Sequence, residues 1–331
     1  MQDLKSLADE LKNFEGVTRK RAISDLVEWL GNSDFVGNHT LAGFGEDAAV
    51  LRIDGDNIIL LAVDGIWGKL LNADPWWAGY CAVLVNVDDI AAMGGTPLAM
   101  VNLTSTQDKN ICVELGKGMQ DGVTKFGVPM VGGHLHPDTS YAALDVAIVG
   151  TVKKDAVIYS SGAKPGDKVL AAIDIDGRIY PSYNLAWDNT TKRTQAEIKK
   201  QLDSMLQIGE KKLATAGKDI SNPGVLGTLG MLLESSGAGA TVDVDNIPRP
   251  DEEKVPISLA HWLKTYPGTG FVLTVETEDK GEECIRIFES AGVTAAIVGD
   301  VDASKKLRIR SGAETATMFD FNKEIITGIT R

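Results

Sequence analysis

The segment from Asp74 to Met93 constrains this chain more than any other. It opens with Asp-Pro, a helix N-cap residue followed by the imino acid that suits the first helical position, and it stops at Gly94-Gly95. Between those ends apolar side chains fall on nearly every side of the predicted helix. Val83, Leu84, Val85, Val87, Ile90 and Ala91 surround Asn86 and Asp89. A helix that is apolar all round belongs inside a large core. Asn86 and Asp89 are three residues apart and share a face, while Asp88 is expected to point elsewhere. Such a helix carries a carboxylate into the interior, where it must be paired or bound to a metal. A helix with one solvated edge satisfies the same pattern.

The 331 residues suit two domains of roughly 150 residues each. The longest apolar runs, Ile58–Val63 among them, are far short of the ~20 residues a membrane span needs. The first residues alternate charge and apolar side chains without the apolar stretch of a signal peptide, so the expected location is cytoplasmic. Cys81, Cys112 and Cys284 are scattered, which supports neither a disulfide framework nor a cysteine-rich metal site. A net charge of −13 argues against nucleic acid and anionic membranes as partners, because both call for a basic face. The acidity reads as ordinary solubility or, more sharply, as carboxylates partly neutralised by bound Mg²⁺.

The remaining elements mix hairpins and helices without a βαβ rhythm, which predicts an α+β fold. Short helices are expected at Asp3–Lys12 and Ile23–Leu30, with a loop at Gly31–Gly45. Strands Ala48–Ile53 and Ile58–Val63 should form a hairpin about a turn at Asp54-Gly55-Asp56-Asn57. Strand Leu98–Thr104, helix Cys112–Phe126 and strands at Pro129–Val131 and Ala142–Val152 complete the first domain. After a Gly/Pro junction at Ser160–Lys168, the second domain is expected to hold strand Val169–Ile173 and helix Ala196–Ala216. A short helix after Pro223 and further strands near Thr241, Phe271 and Ala295 follow, with a helix at Glu282–Ala291 before the last.

In a symmetric hairpin register Asp47 and Asp64 lie directly opposite each other at the open end. Like charges so placed repel. A Mg²⁺ ion, which takes one or two carboxylates plus water and phosphate oxygens, would relieve the repulsion. Two solvated strand-end aspartates fit as well. Further on, Asp219-Ile220-Ser221-Asn222-Pro223-Gly224 reads as a helix start with Asn222 as N-cap. Gly224, Gly227 and Gly230 then make a smooth face, suited either to a phosphate at the helix N-terminus or to tight core packing. There is no GxxxxGK[ST] loop. Gly43–Ala48 partly mimics a dinucleotide fingerprint but leads into a strand, not a helix. His134-Leu135-His136 reads first as a loop element after Gly132-Gly133.

Together these segments resemble the AIR synthase, thiamine-monophosphate kinase and selenophosphate synthetase superfamily, whose two-domain architecture is called PurM-like. Gly45-Glu46-Asp47-Ala48-Ala49-Val50 is similar to the family's GDDAAV, and Asn86 to Gly94 to its NLSDLAAMGA. Ser161-Gly162-Ala163-Lys164-Pro165-Gly166-Asp167 matches SGAKPGD, and Asp219-Ile220-Ser221 matches the start of DISDGL. The pattern, with Phe14–Lys20 and Gly132–Pro137, looks most like the AIR-synthase-related proteins called methanogenesis marker protein 2. The resemblance implies domains at 1–155 and 156–331 and a homodimer formed through the N-terminal sheet. It implies ATP and Mg²⁺ as cofactors, with metal ligands Asp47, Asp64, Asp89 and Asp219. Asn86, Gly132, Gly133 and Ser221 would bind the nucleotide, and Asp219, Ser221, Asn222 and His134 would serve catalysis.

The sequence also departs from the family. His134 and Asn222 stand where kinase members carry Asp, and Ser160 stands where they carry Arg. No His follows the second aspartate near Leu71-Asn72. The N-terminal arm has no reactive Cys, and the chain ends Gly328-Ile329-Thr330-Arg331 without a terminal Cys. The expected function is Mg²⁺-dependent use of ATP on a small metabolite, by phosphoryl transfer or ATP-driven dehydration or cyclisation. Thiamine-monophosphate kinase and a non-catalytic nucleotide-binding partner are the alternatives.

Overall fold

The computed structural model describes residues 3–30, 39–53, 57–266 and 268–330. Part of the expected Gly31–Gly45 loop and the first three residues of the expected Asp54–Asn57 turn lie outside these residues. The N-terminal half contains α1 (Leu4–Lys12), α2 (Glu15–Thr18), α3 (Ile23–Leu30), β1 (Thr40–Ala42), β2 (Ala49–Arg52), β3 (Asn57–Gly65) and α4 (Gly68–Ala73). It continues with α5 (Pro75–Ala92), β4 (Thr96–Ser105), α6 (Lys109–Phe126), β5 (Met130–His136) and β6 (Ala143–Lys153). The C-terminal half begins with β7 (Lys168–Ile173), β8 (Arg178–Tyr180), β9 (Tyr183–Asp188), α7 (Gln195–Glu210) and β10 (Ala214–Asp219). It ends with α8 (Gly224–Ser236), β11 (Gly239–Asp243), α9 (Leu259–Trp262), β12 (Gly270–Val275), α10 (Glu278–Ser290), β13 (Thr294–Asp302), β14 (Lys306–Ser311) and β15 (Glu314–Asp320).

The fold is α+β. One six-stranded sheet runs β1-β2-β3-β6-β4-β5 and a seven-stranded sheet runs β10-β12-β7-β13-β11-β14-β15. Helix α5 explains its own composition. Asp74 caps it by accepting from the Trp77 amide, and nearly every residue from Trp77 to Ala92 is buried. One side packs on β3, β6 and β4, another on α6, and its far end meets α7 and β10 of the second half. Ala91 and Ala92 thereby enter the same core as Leu170, Leu213 and Phe271.

Several expected elements differ. Residues 214–216 are not the end of a helix. Lys212 adopts φ 56°, the chain turns, and β10 pairs antiparallel with β12. The hairpin β8–β9 and strands β14 and β15 were not read from the sequence. His134 lies within β5, not in a loop. Helix α8 starts at Gly224, one residue later than expected, with Pro223 at the cap and no side-chain cap bond. Its glycine face is filled by protein. A Cβ on Gly227 would meet Val17 of the N-terminal arm, and one on Gly230 would meet Ile326 of the C-terminal tail. That tail is tied down by buried Glu234, which accepts from the amides of Ile326, Thr327 and Gly328 and from the Thr327 hydroxyl.

Helices α5 and α6 approach closely enough for backbone to touch backbone. A Cβ on Gly118 would lie 1.9 Å from the Trp76 carbonyl oxygen, and one on Gly79 would lie 2.2 Å from that of Leu115. Neither neighbour is a side chain that can swing away. Gly118→Ala is expected to force the helices apart and cost about 3 kcal/mol, the upper end for overpacking. Urea unfolding of wild type and variant, fitted with a common slope, measures this.

Candidate active site

Three carboxylates from three distant segments converge. Oxygens of Asp47, Asp89 and Asp219 all lie within 4.8 Å of one another. Asp47 sits on the loop leading into β2, Asp89 on the last turns of α5, and Asp219 at the end of β10. Asp64 adjoins this trio from β3, close enough to act electrostatically on both Asp89 and Asp219. Strand alternation explains the aim of Asp64. Ile58, Leu60 and Ala62 are buried while Leu61 and Val63 are exposed, so Asp64 shares the buried, helix-covered side. The expected direct opposition of Asp47 and Asp64 does not occur. The observed register pairs Ala49 with Leu61, one residue away from the symmetric hairpin, and Asp47 precedes the strand. Each of the two approaches Asp89 and Asp219 through tertiary packing, not through strand pairing with the other.

Asn86 is fully buried. Its Nδ2 donates to the Ala82 carbonyl at 2.9 Å, and its Oδ1 has no partner. Asp47 Oδ2 and Asp88 Oδ1 are also buried without a partner. Asp88, expected to point elsewhere, is buried and feels the charge of Asp219. Lys218 was not anticipated. Its ammonium donates to Asp47 and lies 3.3 Å from the Ser160 hydroxyl. Its signal in the sequence is a lone charge directly before Asp219 in a run of small residues. Glu46 clamps the same loop, accepting from the Ser160 amide at 2.5 Å and the Ser161 hydroxyl at 3.1 Å. Ser221 and Asn222 are half-buried just beyond Asp219. The N-terminal arm covers them: a Cβ on Gly16 would lie 2.1 Å from the Asn222 carbonyl oxygen.

Gly132, Gly133 and His134 are not brought to this cluster within one chain. They are exposed on β5, separated from β3 by β6 and β4, which is about 14 Å at ordinary strand spacing. His134 pairs with Leu103, which pairs with Asp145, opposite Gly65. That row faces outward, away from the side that Asp64 occupies. His134 and His136 contact each other edge to face, with ring centroids 4.7 Å apart.

Residues 45–152 match the N-terminal domain of AIR synthase related proteins, and residues 164–312 match the C-terminal domain. A protein of Methanocaldococcus jannaschii, named only as uncharacterized, is 54% identical over 327 residues, covering 98% of this chain and 99% of its own length. This chain belongs to the AIR synthase related family. The selenide, water dikinase of Myxococcus xanthus is 27% identical over 336 residues, spanning 89% of this chain and 94% of that protein. Among solved structures, phosphoribosylformylglycinamidine synthase II of Thermotoga maritima superposes with a TM-score of 0.78 at 16% identity. The match covers 99% of this chain but 53% of that one, so the chain spans about half the length of the synthase. The AaThiL structure complexed with AMPPCP and TMP superposes with a TM-score of 0.64 at 18% identity, covering 89% of this chain and 95% of that one.

The electrostatics of this AIR synthase related chain follow from crowding acids out of water. Burial pushes the Asp219 carboxyl up to about 8, with Asp47 adding to the effect. Burial also holds Asp89 well above the usual carboxylate range, helped by Asp64, Asp219 and Asp47. Burial lowers the affinity of Lys20 for its proton, although Asp64 and then Asp219 oppose it. Burial alone would strip Lys218 as well, but Asp47 and Asp219 outweigh it and keep the ammonium charged. Between 3.8, the ordinary aspartate value, and about 8, the folded chain therefore binds more protons at Asp219 than the unfolded chain does. Linkage then makes stability fall as pH rises through that window. Without divalent cation, the melting temperature should drop between pH 6 and pH 9. Asp219→Asn should flatten the drop, and added Mg²⁺ should reverse it in wild type. Scanning calorimetry across pH reads all three.

Proposed function

We propose that this protein is a Mg²⁺-dependent, ATP-utilising enzyme that transfers a phosphoryl group to, or drives dehydration or cyclisation of, a small oxygen-bearing metabolite. The observation that carries the reading is the convergence of Asp47, Asp89 and Asp219, with Asp64 beside them, around a buried Asp47 oxygen that has no partner. Hard carboxylate oxygens suit Mg²⁺, which keeps coordination positions for water and phosphate. When bound there, the ion would neutralise phosphate charge and orient the nucleotide, the main need in phosphoryl transfer. Asp47, Asp89 and Asp219 would hold it, with Asp64 adjoining. Ser221 and Asn222 would donate hydrogen bonds to the phosphates or the substrate from the loop after β10. Proteins related by sequence or fold support the nucleotide. One is named selenide, water dikinase, and solved neighbours include PurL complexed with ADP or ATP and ThiL complexed with AMPPCP and TMP.

The enzyme is proposed to act as a homodimer. The outer face of the first sheet exposes Leu61, Val63, Leu98, Val101 and Leu103. An apolar face of this kind marks an association surface. A second copy seated on it would bring His134 and the glycines of β5 into the interface, where they could complete a nucleotide site. Val101→Glu should give monomers by size-exclusion light scattering, where wild type gives dimers.

Asp47→Asn and Asp89→Asn should each weaken Mg²⁺-dependent AMPPCP binding by at least about tenfold, with an unchanged circular dichroism spectrum. Isothermal calorimetry decides. Unchanged affinity in both would remove the carboxylates from the site. Catalysis is tested by ADP release against a panel of phosphorylated and amide-bearing metabolites. If none stimulates turnover and the His134→Asp, Asn222→Asp double variant phosphorylates thiamine monophosphate, the chain is a nucleotide-binding protein that has lost its chemistry.

A further inference from the structure

Lys218 is a cation built into a site that the neighbouring carboxylates would otherwise offer to metal. It stands on β10 directly before Asp219, and its side chain is 9% exposed against 4% for that of Asp47. The ammonium donates to Asp47 Oδ1 and lies 3.3 Å from Ser160 Oγ. The other oxygen, Asp47 Oδ2, is buried and unpartnered. Asp47 thus gives one oxygen to a lysine, keeps the other without a hydrogen-bond partner, and has an oxygen within 4.8 Å of those of Asp89 and Asp219.

We propose that the Lys218 ammonium occupies a position that a divalent cation would otherwise take on Asp47, so that this cluster binds one divalent ion fewer than its carboxylates would support. The inference rests on the Mg²⁺ reading of the same site. A buried carboxylate needs positive charge close by, and an ammonium or a metal ion can answer that need. The two are not equivalent. The ammonium is tethered to β10 and cannot leave with product. It also repels a second cation at the same oxygen with a strength that grows as water is excluded. Pairs such as Lys199–Asp203 and Lys212–Asp155 lie at the surface, where water screens the charges. The Lys218–Asp47 pair lies under the Ser160 junction and beside Asp219, where it decides how many ions fit.

The test counts ions in the absence of nucleotide. Full-length wild type, Lys218→Met and Lys218→Gln are titrated with Mn²⁺, and free Mn²⁺ is followed by electron paramagnetic resonance. Both variants should bind about one more Mn²⁺ per chain than wild type, displaceable by Mg²⁺, and Lys218→Arg should keep the wild-type number. Equal numbers in wild type and both variants would overturn the inference. Should Lys218→Met fail to fold without metal, Lys218→Gln keeps a hydrogen-bond donor near Asp47. Its melting temperature should then rise more steeply with Mn²⁺ than that of wild type, and an equal rise would overturn the inference. The two readings fail separately. If wild type binds neither Mn²⁺ nor AMPPCP while the variants gain an ion, the nucleotide reading falls and the lysine inference stands. If wild type binds both and the variants gain nothing, only the lysine inference falls.

Discussion

Carboxylates held within 4.8 Å of one another inside a protein repel strongly, and the rest of this molecule is arranged around that repulsion. Each acid comes from a different element, so no local stretch of chain can relax to separate them. Asp89 is carried on a helix whose every side is packed. Asp219 ends a strand held by β12, and Asp47 lies on a loop fastened by Glu46 to the Ser160–Ser161 junction. The apolar surfaces buried by α5 and by the two sheets supply the favourable free energy that holds these acids together. Proton uptake or a neighbouring cation relieves the repulsion itself. Lys218 supplies part of that relief from within the fold, and the unpartnered oxygen of Asp47 marks where more is needed.

The same strand serves the acidic site and the exposed apolar face. Along β3 successive side chains alternate between the covered and the outer side. Asp64 therefore joins the cluster beneath the sheet, while Val63 and Gly65 face outward in register with Ala147 and Asp145. A substitution that shifted this register by one residue would put Asp64 on the outer face and an apolar side chain among the carboxylates. The acidic cluster and the exposed apolar face are thus separated by the thickness of one sheet, and neither can drift without the other.

Much of this was legible in the sequence where one physical demand dominated. Helix α5 was legible because a long segment apolar on all sides with a capped start has few other fates. The resemblance named Asp47, Asp89 and Asp219, and the fold brings their carboxylates within 4.8 Å of one another. What was missed depends on contacts between distant residues. Residues 214–216 continue a helical pattern locally, and only pairing with β12 makes them strand. The observed hairpin register, Ala49 with Leu61, is one residue from the symmetric one, and β3 also pairs along its length with β6. Strand order and side-chain alternation set His134 on the outer face, apart from the carboxylates of its own chain, which only the pairing of β5 with β4 reveals. Lys218 had a local signal, a charge amid small residues, but its partner is 171 positions away.

That long separation couples the two halves of the molecule. The loop bearing Asp47 belongs to the first sheet, but both of its charged anchors reach across the junction. Glu46 accepts from Ser160 and Ser161, and Asp47 accepts from Lys218 on β10. Ser160 itself touches Lys218, which closes a ring of polar contacts linking loop, junction and strand. The Lys218–Asp47 pair is ionic and nearly buried, so losing one partner leaves an uncompensated charge, a far larger penalty than losing a surface pair. The relative position of the two halves and the position of the Asp47 loop are therefore one constraint. Any ligand that draws Asp47 away from Lys218 must pull on the junction as well.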